Sequence, residues 1–320
     1  MTTISYGESD EPLTEDRILD DTYCLREPVG QGAMGVVYKA SHTRLPGRFA
    51  VKLLKHRLAN HEEALRRFFR EAAIMGGLHH PNVVQIVDFN HDRHGRPYFV
   101  MEYLEGETLE AHLATGVAFP LKRVLSIVRQ IAAALTFAHK HGVVHRDVKP
   151  ANVFLVKFDG QTEDLVKVLD FGISQSGLMA NQGASGFGLL GTPQYMAPEQ
   201  ALGKSHLDGR ADQFSLAAVA YIMLTGCDAF AGSNIAALMF QVVNEPPRSI
   251  PWLLTGNAIR VEKVLFRALS KEPDARFDSV VAFARALSEA AGEPQEAEQF
   301  GDPIGESVVL VGRSRRLVAR

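Results

Sequence analysis

The segment His145–Asn152, HRDVKPAN, is followed at Asp170 by the tripeptide DFG. Together they supply a carboxylate that can accept a proton, Asp147, and two side chains whose oxygen atoms suit a Mg²⁺ ion, Asn152 and Asp170. Lys149 adds positive charge close to Asp147. Asp-Phe-Gly alone is an ordinary strand-to-turn tripeptide. Its combination with HRDxxxxN is far harder to obtain by chance, and it predicts a site that handles phosphate groups.

Three segments resemble the eukaryotic-type (Hanks-type) serine/threonine protein kinases, and their bacterial branch in particular. They are HRDVKPAN, GTPQYMAPEQ at 191–200 and LHHPNVV at 78–84. The resemblance covers nearly the whole chain and implies a two-lobed α+β protein kinase fold, with a small antiparallel-β lobe that has one main helix and a larger, mainly helical lobe. It also implies a signalling enzyme that transfers the γ-phosphoryl group of Mg-ATP to Ser or Thr hydroxyls of protein substrates, with Mn²⁺ as a possible replacement for Mg²⁺.

The resemblance also assigns roles to individual side chains. Asp147 would orient the substrate hydroxyl, and Thr192 would contact it and shape the acceptor pocket. Asn152 and Asp170 would hold the metal. The catalytic set that the resemblance implies is Lys52, Asp147, Lys149, Asn152 and Thr192.

The composition fits an enzyme with two compact lobes. The chain has 320 residues, of which 46% are apolar and 22% are charged, and its net charge of -3 gives no reason to expect a nucleic-acid partner. Cys24 and Cys227 lack metal-ligand spacing and are expected to be reduced thiols. No apolar run of about 18 residues predicts a membrane span, and no signal peptide is visible. We therefore expect a cytoplasmic protein.

Three segments differ in character. Residues 1–22 are acidic, with a single arginine, and are predicted to be a flexible leader without a structural role. Residues 23–291 are the expected kinase domain, with the small lobe at 23–104 and the large lobe at 105–291. Residues 292–320 are expected to be a linker or tail, and a docking segment or a strand for another domain is the alternative.

Apolar periodicity predicts the two lobes separately. Up to Leu104, four β-prone runs predict an antiparallel sheet that one charged helical segment, 61–78, interrupts. From about Pro120 onward, the apolar residues recur with helical spacing. The segments predicted to be long helices are 121–142, 211–226, 234–243 and 258–269.

A turn at Asp159 and Gly160 separates the β-prone runs NVFLVKF and DLVKVLDF. A hairpin there places Asn152 just before the first of two paired strands and Asp170 just after the second. The two expected metal ligands are thereby brought together.

The segment GQGAMGVV, 30–37, is rich in glycine, which lets a backbone approach phosphates closely. A dinucleotide-binding turn is the alternative, but it requires a helix after the third glycine, whereas Val36, Val37 and Tyr38 predict a strand. We therefore predict a hairpin flap over the nucleotide. Its members are Gly30, Gln31, Gly32, Ala33, Met34 and Gly35.

Lys52 lies on the apolar strand FAVKLL, where an unpaired ammonium would be costly. The resemblance gives it the α- and β-phosphates as ligands and Glu71 as its partner. Glu71 as one of several solvated charges on its helix is the alternative. The resemblance also places Val37 and Ala50 in the upper wall of the adenine pocket and Phe154 in its floor, although each could equally be plain core.

The segment MEYL, 101–104, resembles the hinge between the lobes. Adenine would there bond to the backbone of Glu102 and Leu104. Met101 would limit the depth of the pocket, and a role as a simple gap-filling side chain is the alternative.

Four residues resemble structural members of the site. His145 and Phe171, with Met75, resemble an apolar spine that links the lobes, and Asp212 resembles its anchor at the start of a buried helix. Another structural feature is expected at Glu199, an acid in an apolar lobe that needs a cation. The resemblance gives it an arginine partner, Arg276.

Regulation departs from the pattern of the bacterial relatives, which usually have threonines in the activation loop. Arg146 precedes Asp147, as in relatives whose phosphorylated loop docks on a basic pocket. In the stretch that leads to GTP, Ser185 is the hydroxyl available. We expect Ser185 to be a weak autophosphorylation site, or the loop to work without phosphate.

Two other functions compete with this one. A pseudokinase scaffold would usually have lost the equivalent of Lys52, Asp147 or Asp170, and none is lost. A small-molecule phosphotransferase is the second, but GTPQYMAPE and the helices after it favour a protein substrate. The resemblance also allows a homodimer through the small lobe, as some relatives form.

Overall fold

The computed structural model describes residues 17–157, 163–171, 193–250 and 257–293. The small lobe is a six-stranded antiparallel sheet in the order β1-β2-β3-β4-β6-β5, crossed by helix α1. Its elements are β1 Arg17–Leu19, β2 Tyr23–Gln31, β3 Gly35–His42, β4 Arg48–Leu54, α1 Glu62–Gly77, β5 Ile86–His91 and β6 Pro97–Glu102.

Helix α1 begins with the charged run that the sequence predicts to be helical. The His61 side chain accepts the Ala64 N–H at the first turn, where Glu62 and Glu63 also favour the positive end of the helix dipole. Its inner face is apolar except for one acid, Glu71. The buried residues of α1 are Ala64, Phe68, Glu71, Ala72 and Met75.

The prediction of a flexible leader is wrong for its last residues. Strand β1 pairs with β2, and Leu19 is only 1% exposed. Asp20 and Asp21 form the connecting turn with φ angles of 47° and 52°, and Asp20 accepts a hydrogen bond from Tyr98. The acidic residues are therefore the turn of a hairpin, and burial of Leu19 outweighs the polar character of the segment.

The sheet of the small lobe curls strongly around its core. Tyr23 on β2 and Asp88 on β5 lie near opposite edges of the strand order, yet the Tyr23 hydroxyl donates to Asp88 Oδ2 at 3.1 Å. The curled sheet encloses an apolar cluster. Its buried members are Leu19, Tyr23, Leu25, Val36, Tyr38, Ala40, Val51, Leu53, Tyr98 and Val100.

The large lobe is mainly helical and contains a second, three-stranded sheet in the order β7-β8-β9. The predicted helices α3, α5, α6 and α7 are confirmed, whereas the apolar pattern of α8 was not recognised as a helix. The elements are β7 Gly106–Thr108, α2 Leu109–Leu113, α3 Leu121–Lys140, β8 Val153–Val156, β9 Leu165–Val168, α4 Pro198–Ala201, α5 Gly209–Thr225, α6 Ile235–Asn244, α7 Asn257–Ala268 and α8 Val280–Ala291.

Helix α5 is the centre of this lobe, because 14 of its 17 residues are buried. Such a helix is apolar all round, and its polar members need partners inside the protein. Within the described ranges, no helix is long and apolar enough to span a membrane.

The β8–β9 pair positions the predicted metal ligands. Val153 lies opposite Val168, so Asn152 and Asp170 flank the same end of the pair. The predicted antiparallel pairing is therefore confirmed, while its turn at Asp159 and Gly160 lies outside the described residues.

Candidate active site

Lys52 on β4 lies between two carboxylates. Its Nζ donates to Glu71 Oε1 at 2.5 Å and to Asp170 Oδ2 at 3.0 Å. The side chains of Lys52 and Glu71 are almost fully buried, whereas that of Asp170 is 46% exposed. The predicted contact between Lys52 and Glu71 is present, and Glu71 is not one of the solvated charges of its helix.

The glycine-rich segment forms a β-hairpin and does not lead into a helix. Gly30 on β2 lies opposite Val37 on β3, and the Gly32 N–H donates to Gly35 O at 2.9 Å. A Cβ atom at Gly35 would lie 2.8 Å from Leu53 O, so only glycine fits there. The residues between the strands are Gly32, Ala33 and Met34.

Asp147 is fixed by three neighbours in the loop before β8. Lys149 Nζ donates to Asp147 Oδ2 at 2.8 Å, and Asn152 Nδ2 donates to Asp147 O at 2.9 Å and to Oδ2 at 3.0 Å. The Asp147 N–H donates to His145 Nδ1 at 3.2 Å. The Leu169 N–H donates to Asn152 O at 2.8 Å, which ties this loop to the residue that precedes DFG.

Asp212, fully buried in α5, holds the start of this loop. Its Oδ2 accepts the His145 N–H at 2.8 Å and its Oδ1 accepts the Arg146 N–H at 2.7 Å. His139 Nε2 lies 2.7 Å from the same Oδ2 atom. Arg146 has a φ angle of 67°, a left-handed conformation that costs a residue with a side chain about 1–2 kcal/mol. The two bonds to Asp212 offset that cost and turn the chain toward Asp147.

The three residues of the predicted spine are all buried, and two of them are in ring contact. The rings of His145 and Phe171 are 4.5 Å apart, and Met75 belongs to the same buried cluster as Phe171. Burial lowers the pKa of His145, although Asp212 opposes this. A neutral, buried imidazole suits the predicted structural role.

The predicted adenine-pocket residues lie on strands of both lobes. Ala50 on β4 is directly opposite Met101 on β6, and Val37 on β3 is opposite Lys52. Phe154 lies on β8 in the large lobe. Their contacts with a nucleotide stay predictions.

The predicted hinge follows strand β6 directly. The Glu102 N–H donates to Gln85 O at 3.0 Å, so the carbonyl is the backbone group of Glu102 left for adenine. Leu104 packs against the core of the large lobe. Thr192 and Ser185 lie outside the described residues.

The donor set at Asn152 and Asp170 fits a Mg²⁺ ion. Both side chains carry oxygen atoms, the ligands that this hard cation prefers. The bonds from Asn152 to Asp147 use its Nδ2 atom and leave the amide oxygen for a metal. One oxygen of Asp170 pairs with Lys52, and the exposed part of the carboxylate leaves room for a cation.

Comparison with known proteins agrees with this geometry. The family described as "Protein kinase domain" matches residues 23–280. The chain belongs to the protein kinase family. The kinase Pkn1 of Myxococcus xanthus is 38% identical over 89% of this chain, and the match covers 40% of Pkn1. PknB of Mycobacterium leprae is 35% identical over 93% of this chain, and the match covers 48% of PknB. Both are described as serine/threonine-protein kinases, and the chain spans less than half of each.

Solved kinase structures share the fold. The crystal structure of the Mycobacterium tuberculosis PknI kinase domain is 32% identical, has a TM-score of 0.66 and matches over 88% of this chain and 100% of that domain. The predicted two-lobed α+β kinase fold is confirmed.

Electrostatics of the kinase site favour a charged Lys52 and Asp170. Burial works against both charges, but mutual attraction outweighs it, so the pKa of Lys52 is raised and that of Asp170 is lowered. Burial raises the pKa of Glu71, and the negative charge of Asp170 adds to this rise, although the ammonium of Lys52 opposes it. The site therefore keeps its lysine protonated and its metal-binding carboxylate ionised at neutral pH.

The predicted ion pair of the large lobe is present and buried. Arg276 donates from Nη1 and Nη2 to the two carboxylate oxygens of Glu199, each at 2.7 Å. Arg276 also donates to the carbonyl oxygens of Ser270, Arg210 and Lys271. All the charge of this pair is satisfied inside the kinase.

Sequence reasoning missed several polar residues that support the site. His139 contacts Asp212, and Lys167 contacts Glu102 at 2.7 Å. Asn82 donates to Gln130 Oε1 and to Val166 O across the boundary between the lobes. Their residue types are common on protein surfaces. For Lys167, the sequence signal that could have identified it is its position in the strand that leads to DFG.

Proposed function

We propose that this kinase transfers the γ-phosphoryl group of Mg-ATP to Ser or Thr hydroxyls of protein substrates. The observation that best supports this is that two hydrogen-bonded groups of residues form one site. Lys52 pairs with Asp170, and Asp147 bonds to Lys149 and Asn152. The Leu169–Asn152 backbone bond joins the two groups into one site. A scaffold that only binds nucleotide would not need both.

In the proposed reaction, Asp147 accepts a hydrogen bond from the substrate hydroxyl and then its proton. The hydroxyl oxygen forms a bond to the γ-phosphorus as the bond from that phosphorus to the β–γ bridging oxygen breaks, and ADP leaves. Lys149, 2.8 Å from Asp147, stabilises the negative charge that spreads over the transferred group. The fixed geometry of the loop supplies orientation.

Asn152 and Asp170 are the residues that would hold Mg²⁺, and Mn²⁺ would suit the same oxygen donors. A bound divalent ion would neutralise charge on the phosphates. Lys52 would bind the α- and β-phosphates, with Glu71 and Asp170 fixing its position. The flap from Gly30 to Gly35 would cover the phosphates with backbone N–H donors.

Finer features belong to the same proposal. Lys149 after Asp147 and the serine/threonine kinases among the relatives support Ser or Thr rather than Tyr as the acceptor. Thr192 would shape the acceptor pocket. A role in signalling, autophosphorylation, a cytoplasmic location and a homodimer stay expectations from the sequence.

The direct test is phosphate transfer from labelled Mg-ATP to the chain itself and to a generic basic protein. Asp147→Ala and Asp170→Asn should each lower incorporation on Ser or Thr by about 10²-fold or more. Glu272→Gln, which changes an exposed carboxylate of the large lobe, should leave it unchanged. Incorporation that survives in both variants, or a chain that binds ATP without transfer, would overturn the proposal.

A further inference from the structure

Three segments of the small lobe and the large lobe meet at the carboxylate of Glu102. Lys167 Nζ donates to Glu102 Oε1 at 2.7 Å, and the Gln85 N–H donates to the same oxygen at 2.8 Å. The Glu102 N–H in turn donates to Gln85 O. The hinge is thus fastened on one side to the segment before β5 and on the other to strand β9.

Lys167 is an unusual residue for the inside of a lobe. Its side chain is 12% exposed and that of Glu102 is 31% exposed. An ammonium at this depth needs a compensating charge, and Glu102 supplies it, with Val83 O as a weaker acceptor at 3.5 Å. Lys167 also lies directly opposite Phe154, the predicted adenine floor, in the β8–β9 pair.

Strand β9 connects Lys167 to the predicted metal ligand Asp170. The Val168 N–H donates to Asn82 O at 2.8 Å, and the Val84 N–H donates to Val168 O at 3.1 Å. The next residue, Leu169, is bonded to Asn152, and Asp170 follows. Little freedom is left between Lys167 and Asp170, so a shift at one is transmitted to the other.

We propose that Glu102 and Lys167 are positioning residues that hold the nucleotide edge of the hinge at a fixed place relative to Asp170. Neither side chain touches the reacting atoms. Glu102 acts through its own backbone, whose carbonyl is the group predicted to bond adenine, and Lys167 acts through β9. The inference rests on the proposed function, because it takes ATP as the ligand of this cleft.

Loss of the pair should weaken ATP binding more than it slows transfer. Without Lys167, the partly buried Glu102 carboxylate loses its compensating charge and keeps the Gln85 N–H as its described partner. It will then turn toward water, taking the hinge backbone with it. We expect this displacement of the binding edge to reduce affinity by about tenfold, which corresponds to about 1.4 kcal/mol of binding free energy. The position of Asp147 depends on other contacts, so kcat should change by less than KM for ATP.

The experiment uses the full chain and measures Mg-ATP affinity by calorimetry, KM and kcat for transfer, and unfolding in urea. The test variants are Glu102→Gln, Lys167→Met and Lys167→Arg. Arg123→Met is a matched control, because Arg123 forms a comparable ion pair with Asp164, at 2.7 Å and 3.1 Å, at the other end of β9. This variant breaks an ion pair at Asp164, the residue directly before β9, without touching the hinge.

We expect Glu102→Gln and Lys167→Met to weaken ATP binding about tenfold, with most of the effect in KM, and Lys167→Arg to restore most of it. A double variant that combines Glu102→Gln with Lys167→Met should bind as weakly as Lys167→Met alone, because the pair acts as a unit. Arg123→Met should bind ATP normally. Unchanged affinity in the test variants, or an equal loss in Arg123→Met, would refute the inference, whereas an unmodified chain that fails to bind ATP would instead refute the proposed function.

Discussion

Arg276 offers the clearest prediction at the scale of single residues. Its side chain is fully buried and makes five hydrogen bonds, two of them to Glu199. Arg276→Met leaves Glu199 as an unpaired buried carboxylate, which costs about 3–5 kcal/mol in the free energy of unfolding. Urea unfolding at pH 7 measures this loss.

The matched control is Arg66→Met, which removes an exposed pair with Glu62 one helical turn away. Such a pair contributes little in water, so the urea midpoint should not move. Replacing both members, in Glu199→Leu with Arg276→Met, should recover part of the stability, because no buried charge is left alone. A single Arg276→Met variant as stable as Arg66→Met would contradict this account.

Buried charges were the most predictable residues of the site. Lys52 and Glu199 stand in apolar segments, where a charge requires a partner, and the family pattern supplied Glu71 and Arg276. Lys167 was not predicted, because a lysine that alternates with apolar residues in a strand looks like a solvated side chain. Only the contact with a hinge residue far away in the sequence gives it a role.

At the scale of elements, a substitution in the turn between β1 and β2 should raise the free energy of unfolding. Asp21 has a φ angle of 52°, and its described hydrogen bond, from Thr43 Oγ1, uses only the backbone oxygen. Asp21→Gly keeps that bond and removes the strain, so the free energy of unfolding should rise by about 1 kcal/mol. Asp21→Val should lower it, because a β-branched residue resists this conformation. Urea unfolding of the two variants should give shifts of opposite sign, and shifts of the same sign would refute the argument.

The end of α6 predicts a pH effect on stability. Lys271 Nζ donates to Val242 O at 2.6 Å and to Gln241 O at 3.1 Å, but burial, helped by the charge of Arg276, lowers its pKa from 10.5 to about 8. Between pH 8 and 10.5 the folded chain has released this proton and the unfolded chain still holds it. Its contribution to the free energy of unfolding therefore increases as the pH rises through this window.

Lys271→Met should remove this dependence. The difference in stability between the unmodified chain and the variant should shift in favour of the unmodified chain by about 1–2 kcal/mol between pH 8 and 10, a value reduced for partial exposure. Urea unfolding at several pH values measures it. Lys122→Met, on an exposed lysine of α3, should run parallel to the unmodified chain. Parallel curves for Lys271→Met would contradict the assigned cause.

Elements with a clear period were predicted, and those without one were not. Helices α3, α5, α6 and α7 follow from apolar residues at helical spacing. Strand β1 was missed because Ile18 and Leu19 form a run too short to show alternation among acids. Pairing with β2 and burial of Leu19 in the apolar cluster of the small lobe make this segment a strand.

At the scale of the whole molecule, Asn82 links the two lobes. Its Nδ2 atom donates to Gln130 Oε1 at 3.0 Å and to Val166 O at 2.9 Å, and the residue is 8% exposed. Asn82→Ala leaves two buried acceptors short of a donor, so the free energy of unfolding should fall by about 1–3 kcal/mol. Amide exchange of Val83 and Val84 should become faster, because the segment loses its side-chain anchor.

Native-state hydrogen exchange with mass spectrometry measures both effects. Asn90→Ala is the control, since Asn90 is exposed and the described hydrogen bond of its side chain comes from the neighbouring His91 N–H. It should leave exchange at the boundary between the lobes unchanged. Equal exchange in the two variants would show that Asn82 does not hold the lobes together.

The pair of Lys52 and Asp170 also sets an order in time. These residues are 118 positions apart in the chain, whereas Lys52 and Glu71 are 19 apart. A ribosome that adds about 5–20 residues per second needs roughly 6–24 s to pass from Lys52 to Asp170. During that interval, the nascent small lobe can therefore pair its buried lysine with Glu71. The enzyme stays inactive until Asp170 is translated, although the small-lobe part of its site is already formed.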